Sequence, residues 1–193
     1  MPQIKSIYAV GMAGLYEELK EIGVPIVKSE DHNEKGLQKM NQEEFDKIEI
    51  DENINCVCVG IDLNFNYYKL CFAGLCLEQN KASFVACDGD SYIMVGKKRM
   101  PIAGCMVEPL IKLTGIQPAI CGKPNPYLIN CIQKERNIAK EECIMIGDSI
   151  ESDLKLAKSA EIDSIILLSG VSKEADLNNL EEKSQPTYFA EFL

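Results

Sequence analysis

The chain has 193 residues and a mass of 21.5 kDa, room for one or two domains and too little for a large multidomain assembly. With 46% hydrophobic and 26% charged residues it has the composition of an ordinary globular protein, which excludes global disorder. The 30 acidic residues against 20 basic ones leave a net charge of -10, which repels polyanions, so nucleic acid and membrane surfaces are not expected partners.

The elements alternate along the chain. Ile7 to Val10 is a short apolar strand ending at Gly11, and Leu15, Leu19 and Ile22 recur at helical spacing until Gly23 and Pro25 stop the pattern. Glu30 to Asn55 is polar and aperiodic and reads as a long surface insertion, with one helical turn around Glu43 to Lys47. Cys56 to Val59 is a buried strand, Tyr67 to Leu77 a helix capped by Asn64 or Asn66, and Phe84 to Cys87 another strand. Cys105 to Leu113 is apolar and reads as a helix broken by Pro109 and closed by Thr114 and Gly115. Ala119 to Cys121 then predicts a strand, and Tyr127 to Arg136 a helix opened by Asn125 and Pro126. Cys143 to Ile146 and Ile165 to Leu168 predict strands, and Ile150 to Ala160 and Lys173 to Leu180 helices. Strands and helices in this alternation imply an α/β protein with parallel sheets covered by helices. The weak boundary between its two parts falls near Thr114 to Gln117.

The nine cysteines are an odd number, and no charged-then-apolar leader opens the chain, so reduced thiols in a cytoplasmic setting are expected, most of them as small core residues. The only histidine is His32 and the cysteines lack zinc-site spacing. No apolar run reaches the roughly 18 residues that span a bilayer. Gly11 to Gly14 is too weak a pattern for a phosphate loop, and Phe65, Tyr67, Tyr68 and Phe72 read as a core aromatic cluster.

In parallel α/β sheets ligands bind past the carboxyl ends of the strands, which directs attention to three places. In Cys143 to Asp153 a strand delivers Asp148, and the first turn of the next helix delivers Asp153. Two hard carboxylates suit magnesium, which accepts one or two protein carboxylates and keeps room for water and phosphate; the plainer alternative is that Asp148 caps the helix and Asp153 decorates it. In Cys121-Gly122-Lys123-Pro124 a lysine is held at a strand end, where an ammonium can neutralise phosphate or keep a carboxylate ionised. Cys87-Asp88-Gly89-Asp90 places two carboxylates past another strand, in a sequence that is also an everyday turn.

Gly147-Asp148-Ser149-Ile150-Glu151-Ser152-Asp153, preceded by Gly122-Lys123-Pro124 and followed by Leu168-Ser169-Gly170-Val171-Ser172, resembles the haloacid dehalogenase-like phosphatases. The resemblance is strongest to the branch containing phosphoglycolate, pyridoxal phosphate and 4-nitrophenyl phosphatases, and the stretches Val59 to Leu70 and Gly104 to Val107 are similar to the large α/β cap of that branch. It implies a cap domain over residues 3–115 and an incomplete Rossmann-like core over 116–193. It implies magnesium as cofactor, held by Asp148 with Asp153 supporting the ion or its waters. It also implies Lys123 as a catalytic and substrate-binding lysine, Asp90 as a substrate-binding residue in the cap, and Ser91 to Ile93 as part of the loop that helps choose the substrate. A small phosphorylated metabolite is the expected substrate, and a homodimer through the cap the expected assembly.

One part of the family pattern is absent: no Asp-x-Asp-Gly nucleophile motif and no phosphate-binding Ser or Thr motif precedes the cap. Asp88-Gly89-Asp90 with Thr114 is a poor substitute, because only eight residues separate Thr114 from Lys123 and a parallel crossover needs about a dozen or more. Gly147-Asp148-Ser149-Ile150 also resembles a lipase serine motif, but the only candidate partner, His32, lies far upstream in a polar stretch. The expectation is therefore a truncated and inactive form of a magnesium-dependent phosphatase of small phosphate monoesters. The alternative is a non-catalytic binding or dimerisation module acting through the cap. Without the central nucleophile strand, the strands at Cys143 and Ile165 are expected to carry an unpaired apolar edge.

Overall fold

The computed structural model describes residues 3–193, which divide into two units, residues 3–120 and Cys121–Leu193. The first unit runs β1 (Ser6–Val10), α1 (Ala13–Lys20), β2 (Ile26–Lys28), α2 (Gln42–Asp46), β3 (Ile54–Val59), α3 (Tyr67–Glu78) and β4 (Ser83–Ala86). It closes with the hairpin β5 (Tyr92–Val95) and β6 (Lys98–Pro101), then α4 (Ala103–Thr114) and β7 (Ala119–Ile120). Five strands form one parallel sheet in the order β2-β1-β3-β4-β7. Strands covered on both faces read as continuous apolar runs, and β1 is buried at every position.

The core of this unit lies where α3 and α4 cross the sheet: Tyr8, Val10, Val57, Val59, Phe72, Leu77, Phe84, Val107 and Leu110 are all buried together. α3 is apolar nearly all round, the pattern of a helix with no solvent face, and eight of its twelve residues are buried. The Asn66 side chain accepts from the Lys69 amide at 3.0 Å, so Asn66 is the cap that starts it. α4 runs unbroken through Pro109, against the expected interruption. The proline removes one backbone donor, but Met106, Val107 and Leu110 face the core, and burying each contributes roughly 1.5–3 kcal/mol. Gly115 then ends the helix with φ +71.

The strand β7 pairs with β4 through Val85–Ala119 and Ala86–Ile120. Contacts therefore divide the chain after Ile120 rather than at residue 115. The segment read as a surface insertion is only partly one. Its first residues turn inward, with His32 packed between Phe72 and Tyr68 at ring distances of 4.7 and 5.0 Å, while Leu37 and Phe45 further on are exposed. The expected aromatic cluster thus forms from Tyr68 and Phe72 with Tyr8 and His32, and Tyr67 points to solvent. Only Cys56, Cys58, Cys71 and Cys76 of the nine cysteines are buried, so most are not core residues.

The second unit runs α5 (Tyr127–Arg136), β8 (Ile144–Gly147), α6 (Lys155–Ala160), β9 (Asp163–Leu167), α7 (Glu174–Asn178) and β10 (Tyr188–Ala190). Its parallel sheet has the order β10-β9-β8. The helix expected from Ile150 opens instead with one wide π-helical turn over Ile150–Leu154, in which both Asp153 and Leu154 donate to the Ser149 carbonyl. The expected apolar edge is confined to β8. β9 is central, because β10, a strand the sequence did not announce, pairs with it through Tyr188–Ile165 to Ala190–Leu167. On β8, Ile144 and Ile146 remain 46% and 42% exposed.

Candidate active site

Lys123, Asp148 and Asp153 all belong to the second unit, and the fold joins them in one hydrogen-bonded chain. Strand β8 ends at Gly147, so Asp148 is the first residue beyond the sheet, and the wide turn that follows carries Asp153 back underneath it. Asp153 is buried and fully engaged. Its Oδ2 accepts from the amides of Asp148 and Ser149 at 3.0 and 3.1 Å, and its Oδ1 accepts from Lys123 Nζ at 3.0 Å. Charge-assisted bonds of this kind fix geometry as well as adding strength. Lys123 sits in the turn before α5, where Asn125 N donates to Gly122 O, and its side chain is 38% exposed, so the ammonium is anchored from one side and open to solvent on another.

The loop after β9 completes the arrangement. Val171 N donates to Asp148 Oδ2 at 2.9 Å, Ser172 N to the Asp148 carbonyl, and Ile150 N to Ser172 Oγ. Two glycines make this closeness achievable. A Cβ at Gly170 would overlap the Asp148 carboxylate, and one at Gly147 would overlap that of Asp153. Asp148 Oδ1 accepts no hydrogen bond among the described residues, so one hard oxygen is presented with its partner oxygen already held.

That donor set fits one part of a magnesium site. Magnesium takes oxygen ligands and usually only one or two carboxylates, and the oriented Oδ1 of Asp148 is such a ligand. Among the described residues no cluster of three or more acidic, histidine or cysteine side chains forms a self-sufficient metal cage. Asp153 is tied to Lys123 and two amides, which suits it to orienting its neighbours rather than to direct ligation.

Asp90 lies in the other unit, after β4 and before the hairpin. Its amide donates to Asp88 Oδ1 at 3.1 Å and its carbonyl accepts from Gly104 N at 2.9 Å, so the Asp88-Gly89-Asp90 turn is docked on the start of α4. The hairpin beyond it is exposed along its whole first strand, Tyr92 to Val95, with Arg99 stacked over the Tyr92 ring at 4.4 Å.

A second ion pair was not anticipated from the sequence. Lys69 on α3 is fully buried and its Nζ donates to Asp62 Oδ2 at 2.7 Å, Asn33 Oδ1 at 2.6 Å and the Asn64 carbonyl at 3.0 Å. Asp62 also accepts from Ser29 Oγ and from Asn64 N, each at 2.8 Å. A lysine in an otherwise apolar helix was the available signal, since a buried ammonium requires a buried partner. An open apolar groove between α2, α3 and α4, lined by Phe45, Tyr67, Leu70 and Leu113 among others, holds none of the expected site residues.

Residues 120–193 match the family model described as HAD-hydrolase-like. Over 194 residues the chain is 29% identical to the 4-nitrophenylphosphatase of Schizosaccharomyces pombe, covering 100% of this chain and 64% of that protein. It is 30% identical to phosphoglycolate phosphatase 2 of Arabidopsis thaliana over 190 residues, covering 97% of this chain and 62% of the relative. The chain thus spans just under two thirds of these relatives. Among solved structures, the fold matches Bs-TpNPPase with a TM-score of 0.77 at 27% identity, over 99% of this chain and 66% of that one. It also matches the magnesium complex of the glycerol phosphate phosphatase Rv1692 of Mycobacterium tuberculosis with a TM-score of 0.77 at 23% identity, over 98% of this chain and 51% of that one.

Proposed function

The chain belongs to the haloacid dehalogenase-like superfamily, and from that premise we propose that it forms the cap and the lysine- and acid-bearing half of the core of a magnesium-dependent phosphatase acting on small phosphate monoesters. The observation that carries this reading is the chain from Lys123 through Asp153 to Asp148, hung on the ends of β8 and β9. A bound magnesium ion supplies charge neutralisation on a phosphoryl group, the dominant requirement of phosphoryl transfer. Asp148 would hold that ion through Oδ1, while Val171 N fixes the carboxylate by donating to Oδ2. Asp153 positions Lys123, and the exposed part of the ammonium faces the developing phosphoryl charge. Asp90 and the neighbouring Ser91 to Ile93 contribute to the choice of substrate.

The 193 residues contain no Asp-x-Asp-Gly sequence, so in this reading the carboxylate that attacks phosphorus is supplied by residues outside them. The chain alone should release phosphate from 4-nitrophenyl phosphate with magnesium no faster than a blank. Fusion to the nucleophile-bearing segment of the S. pombe relative should give turnover that Lys123→Ala or Asp148→Asn abolishes. Turnover by the chain alone, lost on Asp88→Asn, would overturn this assignment.

We further propose that two copies associate through the first unit. The exposed apolar strand β5, with Ile93, Met94 and Val95 each about half exposed, supports this. Sedimentation should give a dimer that Ile93→Lys dissociates; a monomer at every concentration would refute it.

A further inference from the structure

Cys58 in β3 and Cys87 just past the end of the neighbouring β4 stand side by side, and neither thiol has been given a role above. Cys58 is in β3 and 6% exposed, and Cys87 follows the last residue of β4 and is half-buried. Their sulfurs are 4.0 Å apart, within hydrogen-bonding reach. Cys87 N donates to the Val59 carbonyl at 2.9 Å, which holds the second thiol against the strand that carries the first. Both lie on the sheet face packed by Ile7, Ala9 and Tyr16. The next residues after Cys87 are Asp88, Gly89 and Asp90, the turn that docks on α4.

We propose that Cys58 and Cys87 are a redox-sensitive thiol pair that a peroxide closes into a disulfide, fastening the Asp88 to Asp90 turn to β3. The hydrogen bond from Cys58 pulls the Cys87 thiol below its ordinary range, against the opposing effects of burial and of Asp88, so Cys87 is the sulfur that attacks. The Cys87 thiolate takes the terminal oxygen of hydrogen peroxide, breaking the O–O bond, to give the sulfenic acid and hydroxide. The Cys58 sulfur then displaces that oxygen, and its proton leaves with the hydroxyl as water. The sum is two thiols and one peroxide to one disulfide and two waters. The sulfurs must approach from 4.0 Å to about 2.05 Å, and the displacement falls on Cys87, which has left the strand, rather than on Cys58 inside β3.

The test uses the whole chain, fully reduced, freed of reductant, treated with one equivalent of hydrogen peroxide, blocked with N-ethylmaleimide and digested with trypsin. The expected product is a linked pair of peptides, residues 48–69 joined to residues 82–97, two hydrogens lighter than their sum and cleaved by a phosphine. The first peptide also holds Cys56, so the link should survive Cys56→Ser and vanish in both Cys58→Ser and Cys87→Ser. Amide hydrogen exchange at residues 88–90 should slow on oxidation and recover on reduction. Both thiols still alkylated after peroxide, or Cys87 taken to the sulfinic acid with no link, would overturn the proposal. A link that persists in Cys58→Ser would overturn it as well. None of these readouts depends on phosphatase activity.

Discussion

Two buried aspartates, each paired with a lysine, have been put to opposite uses. In the first unit Lys69 directs its three donors at three protein oxygens, and Asp62 is likewise surrounded by Lys69, Ser29 and Asn64. Every donor of the Lys69 ammonium is spent on a protein oxygen, and the pair fastens α3 to the Ser29 to Asn33 segment and to the loop after β3. In the second unit the aspartate is as deeply placed, but Lys123 is 38% exposed and Asp148 presents an oxygen that the described residues do not occupy. A pair enclosed on all sides is a structural fastening, whereas one whose ammonium reaches solvent beside an outward carboxylate oxygen is poised for a ligand.

The sharpest way to break this contrast is to remove one partner from each pair. Lys69→Ala leaves the Asp62 carboxylate buried without its counter-ion and should cost about 3–5 kcal/mol in urea unfolding, enough to unfold a marginal domain. The double variant Asp62→Asn with Lys69→Met should recover much of that loss. A cost under 1 kcal/mol for Lys69→Ala would place the pair among ordinary surface bridges. Gly170→Ala should come next, at about 1–3 kcal/mol, because its Cβ forces the Asp148 carboxylate aside. Hydrogen exchange should show that loss in the second unit and leave α3 protected.

Lys123→Ala should be the mildest change to stability, about 0–1 kcal/mol, since solvent screens the exposed ammonium and two amides still hold Asp153. A loss as large as that at Lys69 would make Lys123 a fastening too.

A pH titration sharpens the same comparison within the first unit. Burial pushes His32 below its ordinary range, opposed by Asp31 and aided by Lys69 and Lys35, and its Nδ1 lies 3.1 Å from the Tyr8 hydroxyl. The unfolded chain therefore takes up the proton first. The contribution is fully present above the unfolded value near 6.5 and is lost as the pH falls through the lowered folded-state value. Unfolding measured from pH 8 to pH 5 should show that decline in the wild type, and His32→Phe should lack this component. Identical slopes would remove His32 as its source.

The parts of the fold that could be read from the sequence are those with a periodic apolar signal. β1, β3, β4, β8 and β9 are runs of four to six residues, mostly β-branched or small and apolar, and their bounds lie within two residues of the expected ones. β2 and β10 have only three residues each, too short for a period to show. The hairpin β5–β6 escaped because its first strand is exposed throughout, so no inward and outward alternation marks it. Lys123, Asp148 and Asp153 were legible because each follows a strand end within a short stretch of sequence. The Asp62–Lys69 pair was not, since the residues that complete it come from two polar stretches without periodic signal, Ser29 and Asn33 from one and Asn64 from the other.

The most direct measurement is a magnesium titration of the 193-residue chain followed through its backbone amide signals. The account predicts saturable shifts at Asp148, Ser149 and Val171, present in Lys123→Ala and absent in Asp148→Asn, with the signals of Asp62 and Lys69 unmoved. Shifts centred on the Asp62–Lys69 pair, or unchanged by Asp148→Asn, would contradict it.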